Sequence, residues 1–136
     1  MVLLTWDDSR HQLGVDEMDE THQEFADLVN RLGKETDKAA FQRLFVELFE
    51  HAKVHFEHEE HLMEESGFPA LSEHRSEHAR VLGQLNQINR MVQKGRITFG
   101  QSFVAGLPSW FDLHAATMDS ALAAHLKTKS KRSSAR

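Results

Sequence analysis

The sequence predicts an all-α protein, an up-down-up-down four-helix bundle with an irregular N-terminal arm. Three observations carry this. Four stretches repeat apolar residues with the period of a helix, the connections between them are short, and nothing alternates as a half-buried strand does. Short connections between long helices favour antiparallel neighbours. The 136 residues, 40% of them hydrophobic, suffice for one core.

Residues 1 to about 15 read as the arm, with Trp6 as its anchor. The first helix spans about 17–33, placing Met18, His22, Ala26 and Val29 on one stripe, and Gly33 is its expected stop. The second, about 38–66, ends at Gly67 and a Phe-Pro loop. Ser72 is the expected N-cap of the third, which runs to Gly95. The fourth runs from Thr98 to about Lys127, with Thr98 and Gln101 spaced as a capping box. Pro108 lies inside it, and a proline removes a backbone donor and crowds the preceding turn. A kink or restart is therefore expected near Gly106–Pro108. Residues 1–126 form the expected domain, and the basic tail 127–136 is expected to be disordered.

Several polar residues fall where a core should be apolar. With His55 at zero and about 100° per residue, Leu44, Leu48, Ala52, Glu59, Leu62 and Met63 fall between about −20° and +80°. His55 and Glu59 are thus inside the apolar stripe of their helix. His74 and His78 share a stripe with Val81, Leu85 and Val92, and His114 is flanked by Trp110, Phe111 and Met118. Residues four apart on a helix stack one turn above another, so His55/Glu59 and His74/His78 are two-toothed clamps. His114 and Asp119 fit less well, because five residues turn about 140° and rise about 7.5 Å.

The same arithmetic puts His61 and Glu57 on the solvent face and Glu60 on the far edge. His51 and His58 sit at the boundary, where they could support the ligands from behind but are expected to contact solvent. His11 and His125 carry no ligand signal. Burying five imidazoles and two carboxylates without a metal would cost several kcal/mol per unsatisfied polar or charged group. His22, His55, Glu59, His74, His78, His114 and Asp119 are therefore candidate metal ligands. Their nitrogen-rich chemistry suits a borderline transition metal such as iron, and two metals are expected.

Composition excludes other classes. Without cysteine there are no disulfides, iron–sulfur clusters or thiol chemistry. The net charge is −5 although KTKSKRSSAR at the end carries five basic residues, leaving −10 on the body. A body that acidic repels nucleic acid. No apolar run is long enough to insert in a membrane, and MVLLTWDDSRH lacks the form of a secretory signal, so a cytoplasmic location is expected.

The ordered series His22, His55-Phe56-x-x-Glu59-Glu60-x-x-Met63, His74-x-x-x-His78 and Trp110-x-x-x-His114-x-x-x-x-Asp119 resembles the hemerythrins, closest to the single-domain bacterial type. The match covers about residues 5–126, including Trp6 and Gly14-Val15-Asp16. The resemblance implies a non-haem, oxygen-bridged di-iron centre that binds O2 reversibly and is not an enzyme. His74, His78 and His114 would hold one iron and His22 and His55 the other, with Glu59 and Asp119 bridging. Five imidazoles cannot be shared equally by two metals, so one metal keeps an open position for O2.

Phe56, Trp110, Phe111 and Ala115 would wall the O2 pocket. Here the sequence departs from the family, with Ala115 where a bulky aliphatic residue is common and Phe111 where Leu is common. A ferritin-like oxidase would need Glu-x-x-His motifs, and no Glu stands three residues before any His. A redox enzyme acting on peroxide or nitric oxide, or an oxygen sensor module, is the alternative reading. The acceptor protein and the oligomeric state are not encoded legibly.

Overall fold

The structure, a computed structural model, describes residues 4, 6 and 13–134. Its helices are α1 (Asp16–Lys34), α2 (Lys38–Ser66), α3 (Leu71–Gln93), α4 (Ile97–His114) and α5 (Ser120–Ser134). A π-helical turn, Ala115–Asp119, joins α4 to α5, so the three form the fourth long helix of the bundle. No strand occurs among the described residues. None of their helices is long and apolar enough to cross a membrane.

The ends of these helices follow from local chemistry. Asp37 caps α2 by accepting the Ala40 N–H at 2.9 Å. Gly67 closes α2 with φ 66°, while the Phe68 N–H reaches back to Met63 O and the Gly67 N–H to Glu64 O. Gly95, with φ 95°, closes α3 in the same way through bonds from Gly95 to Val92 O and from Arg96 to Met91 O. Each is a Schellman closure, in which glycine takes the left-handed conformation that a Cβ disfavours.

Neither expected side-chain cap is used, because each following helix begins at or before the residue expected to cap it. Ala70 and Arg96 occupy the cap positions without side-chain bonds, and Ser72 and Thr98 fall inside the first turns. Likewise α1 passes Gly33 and ends at Lys34. Helix α4 runs through Pro108 without a restart, and a π turn follows it at 115–119. Helix α5 continues to Ser134, into the tail expected to be disordered.

Two apolar clusters fill the interior. One includes Val29, Phe45, Phe56, Val81, Leu107 and Phe111; the other includes Met18, Met63, Phe68 and Leu122. The candidate ligands lie between these groups along each helix. The arm is fastened to α1 by Leu4, buried and bonded through both backbone polar groups to the Asn30 amide at 2.7–2.8 Å. Trp6 packs against the first cluster, as an anchor should. Near α1, the buried Asp19 carboxylate accepts the Leu13 and Gly14 N–H groups.

Candidate metal centre

All four bundle helices contribute to one buried polar cluster. His22 comes from α1, His55 and Glu59 from α2, His74 and His78 from α3, and His114 from the end of α4. Asp119 closes the π turn. His22, Glu59, His74, His78, His114 and Asp119 are buried, while His55 is slightly more open at 10% exposure.

The two carboxylates link two sets of imidazoles. Glu59 Oε2 lies 2.7 Å from His55 Nε2, whereas its Oε1 lies 3.2 Å from His74 Nε2 and 3.4 Å from His78 Nε2. Asp119 Oδ2 lies 3.1 Å from His22 Nε2, whereas its Oδ1 lies 3.1 Å from His114 Nε2 and 3.2 Å from His74 Nε2. Each carboxylate therefore turns one oxygen to the His22/His55 pair and the other to the His74/His78/His114 set. This is the division that the resemblance implied.

A metal fits these residues on an observation independent of any relative. Both ring nitrogens of His22, His74 and His78, the Nε2 of His114, and all four carboxylate oxygens of Glu59 and Asp119 are buried without a hydrogen-bond partner. Several are close enough for a hydrogen bond yet lack its alignment, so they converge on common space rather than on each other. Buried polar groups are ordinarily paired, and such a concentration of orphans needs another occupant. Glu59, His74, His78 and His114 form one set whose ligand atoms lie within 4.8 Å of one another, and His22, His55 and Glu59 form a second.

Without a metal, burial and mutual contact shift the protonation of both carboxylates and of His74 and His78. Burial opposes ionisation of Glu59, but the neighbouring His55 and the other imidazoles hold its pKa well below the usual carboxylate range. Burial and Glu59 oppose ionisation of Asp119, and His114, His22 and His74 outweigh them and lower its pKa. His74 is opposed by burial yet pushed up to about 9 by Asp119 and Glu59. His78 goes the other way, because burial prevails. A metal ion would replace protons in this assembly, since imidazole ligates in its neutral form.

The π turn explains how Asp119 enters the site from five residues beyond His114. The Ser120 N–H reaches Ala115 O, the i→i+5 bond that widens the turn. The Ser120 hydroxyl also donates to Ala115 O, and the Thr117 hydroxyl to Leu113 O, both at 2.7 Å. The widened turn takes up the extra residue, so Asp119 faces inward despite its angle on an ideal wheel.

Aromatic rings hold two of the imidazoles flat. Phe56 stacks on His78 with centroids 3.9 Å apart and planes 5° apart. Trp110 stacks on His114 at 4.7 Å and 16°. The Trp110 indole N–H donates at 3.0 Å to Glu77 Oε1, which also accepts from Arg80. The Arg80 guanidinium holds the Glu77 carboxyl down to about 2 against partial burial, with the indole N–H assisting.

Beside the cluster lies a cavity of about 20 Å³, room for about one water-sized molecule. It touches His22, His55, His114 and Asp119 but neither His74 nor His78. Phe56, Trp110 and Phe111 line it as expected; Ala115 does not, although it is fully buried. Residue 115 packs into the first apolar cluster instead. Phe25 also lines the cavity, where sequence reasoning missed it. Its signal was its place three residues beyond His22, on the same helix face.

The other histidines separate as follows. His51, expected to contact solvent, is only 16% exposed and lines the cavity; its Nε2 lies 3.2 Å from Glu24, and its buried Nδ1 has no partner. His58 and His61 are exposed and paired with Glu17 and Glu65, outside the cluster. Glu60 faces Arg75 at 3.3 Å. His125 donates to Ser66 O at 2.8 Å, helping to close α2. His11 lies outside the described residues.

Comparison with known proteins gives the same answer as this geometry. Residues 13–126 match the family "Hemerythrin HHE cation binding domain". A bacteriohemerythrin of Ralstonia nicotianae is 33% identical over 119 residues, covering 88% of this chain and 85% of that protein. One from Stenotrophomonas maltophilia is 27% identical, covering 93% and 84%. A solved wild-type hemerythrin superposes with TM-score 0.84 at 21% identity, covering 91% of this chain and 98% of that one. A single-residue variant structure gives 0.85 at 22%, covering 93% and 98%.

Proposed function

Because this chain belongs to the hemerythrin family, we propose that it binds O2 reversibly, as a carrier or store, at a non-haem di-iron centre. His74, His78 and His114 would hold one iron, His22 and His55 the other, and Glu59 and Asp119 would bridge the pair. Two irons, when bound, supply the electrons on which reversible attachment of O2 depends. The observation that carries the reading is the position of the small cavity, which borders both histidines of the pair that offers one ligand fewer but only His114 of the other set. An open position on the iron held by His22 and His55 would then face space for a small molecule.

The chain's own residues supply selectivity. Phe25, Phe56 and Phe111 present hydrocarbon to the cavity, which disfavours entry of water and anions and the charge separation that oxidation requires. Phe56 and Trp110 fix the planes of His78 and His114, so those rings meet a metal in one orientation. Such a site releases O2 unchanged and needs no catalytic acid or base. An oxygen-consuming protein would be the acceptor of that O2.

The test is anaerobic reduction of the iron-loaded protein, followed by metered O2 and then removal of O2 under argon. A carrier takes up one O2 per pair of irons, and its optical spectrum returns to the starting state on removal. Continued O2 consumption, or steady turnover of peroxide or nitric oxide, would overturn the reading in favour of a redox enzyme.

A further inference from the structure

Outside the cavity wall lies a groove of about 350 Å³ whose floor includes Val81, Leu107 and Trp110. The same three residues line the inner cavity. They therefore form a shared wall between the groove and the cavity. Val81 and Leu107 are 4% and 5% exposed, packed from α3 and α4. Trp110 is only half-buried, and it alone of the three has a polar handle. Gly106 forms part of the groove, with no heavy atom within 4 Å of the place a Cβ would take.

The indole is held from the neighbouring helix. Glu77 on α3 accepts its N–H at 3.0 Å, and Arg80 grips the same carboxylate through Nε at 3.0 Å and Nη2 at 2.6 Å. On its inner face the ring lies flat on His114. We infer that Glu77 is a positioning residue that latches the Trp110 indole across the wall between groove and cavity, setting how readily a small ligand passes. A hydrogen bond to a charged acceptor is stronger than a neutral one, and its loss should raise the population of displaced indole roughly tenfold or more. The ring has room to move, because the groove lies on its outer side. The identity of the ligand as O2 rests on the proposed function; the latch does not.

The experiment uses the full chain with Trp6→Phe, which leaves Trp110 as the sole tryptophan of the two in the sequence. In metal-free protein, Trp110 fluorescence and its quenching by acrylamide report the ring directly. Glu77→Ala should shift the emission to longer wavelength and raise the quenching constant several-fold, whereas Glu77→Gln, which keeps a carbonyl acceptor, should stay near the parent. In oxidised, iron-loaded protein with azide as the probe, Glu77→Ala should raise association and dissociation rates together and leave Kd within twofold. That pattern marks an altered passage and not a damaged site.

Trp110→Phe removes the donor but keeps a ring, so it should raise the azide rates by itself, and adding Glu77→Ala should change them no further. This pair keeps the inference testable if Glu77→Ala alone folds poorly. Unchanged fluorescence and rates in folded Glu77→Ala, or additive effects of the two substitutions, would overturn the latch. A latch that behaves as described in a protein that never binds O2 reversibly would leave this inference standing and overturn the proposed function.

Discussion

Glu59 faces both imidazole sets with different oxygens, so its loss should be felt twice. Glu59→Ala is expected to lower iron content at both positions, measured by metal analysis of protein grown with iron. Full di-iron loading of that variant would contradict a bridging role. The matched control is His58→Gln with His61→Gln, whose side chains are exposed and paired with Glu17 and Glu65. Iron content should then be unchanged, because an exposed ion pair contributes about 0–1 kcal/mol and neither ring reaches the cluster. Number of histidines is thus a poor guide to the site; which face each occupies is decisive.

At the scale of the helix, the π turn acts as a spacing device. It absorbs one residue more than a regular helix holds between His114 and Asp119. Deleting the exposed Ala116 should restore an ordinary helix with the two ligands four apart, still on one face, and should preserve iron binding and helical circular dichroism. Inserting an alanine after Ala116 should rotate Asp119 by about a further 100° and lower metal content. Equal loss of iron in both variants would mean that the π geometry itself is required.

Close helix approach shows a second element-scale effect at Gly100, in α4. A Cβ there would lie 2.6 Å from Val92 Cγ2 and 2.7 Å from Phe41 Cε1. Gly100→Ala should therefore destabilise by about 1–3 kcal/mol through overpacking, despite alanine's better helix propensity. Gly83, with nothing within 4 Å of its Cβ position, should instead gain up to about 1 kcal/mol on replacement by alanine. Urea denaturation of the two variants checks the opposite signs.

For the whole molecule, the cluster sits between two apolar groups in the middle of the bundle, so its satisfaction and the stability of the fold are coupled. A ligand bound only by the native state stabilises it by about 2.7 kcal/mol at a hundred times Kd. Each kcal/mol moves a melting temperature by about 2–8 °C in domains of this general size. Chelator-stripped protein should accordingly melt at least about 5 °C below the iron-loaded form. Coincident melting curves would show that the buried cluster finds equivalent partners without metal.

Sequence alone determined the helical architecture, the closures at Gly67 and Gly95, and the inward face of six of the seven ligand candidates. Those properties are local: rotation of about 100° per residue fixes which residues share a stripe, and glycine supplies the left-handed turn. Distances between helices are not local. Only the tertiary structure brought Phe25 and His51 to the cavity wall, took Ala115 off it, and set Glu77 of α3 against the N–H edge of the α4 indole. It also decided the geometry of Asp119, since whether an extra residue is absorbed as a π turn depends on the packing on either side of it. Periodicity gives each side chain a direction about its own axis, but what it meets there is settled by how neighbouring helices approach.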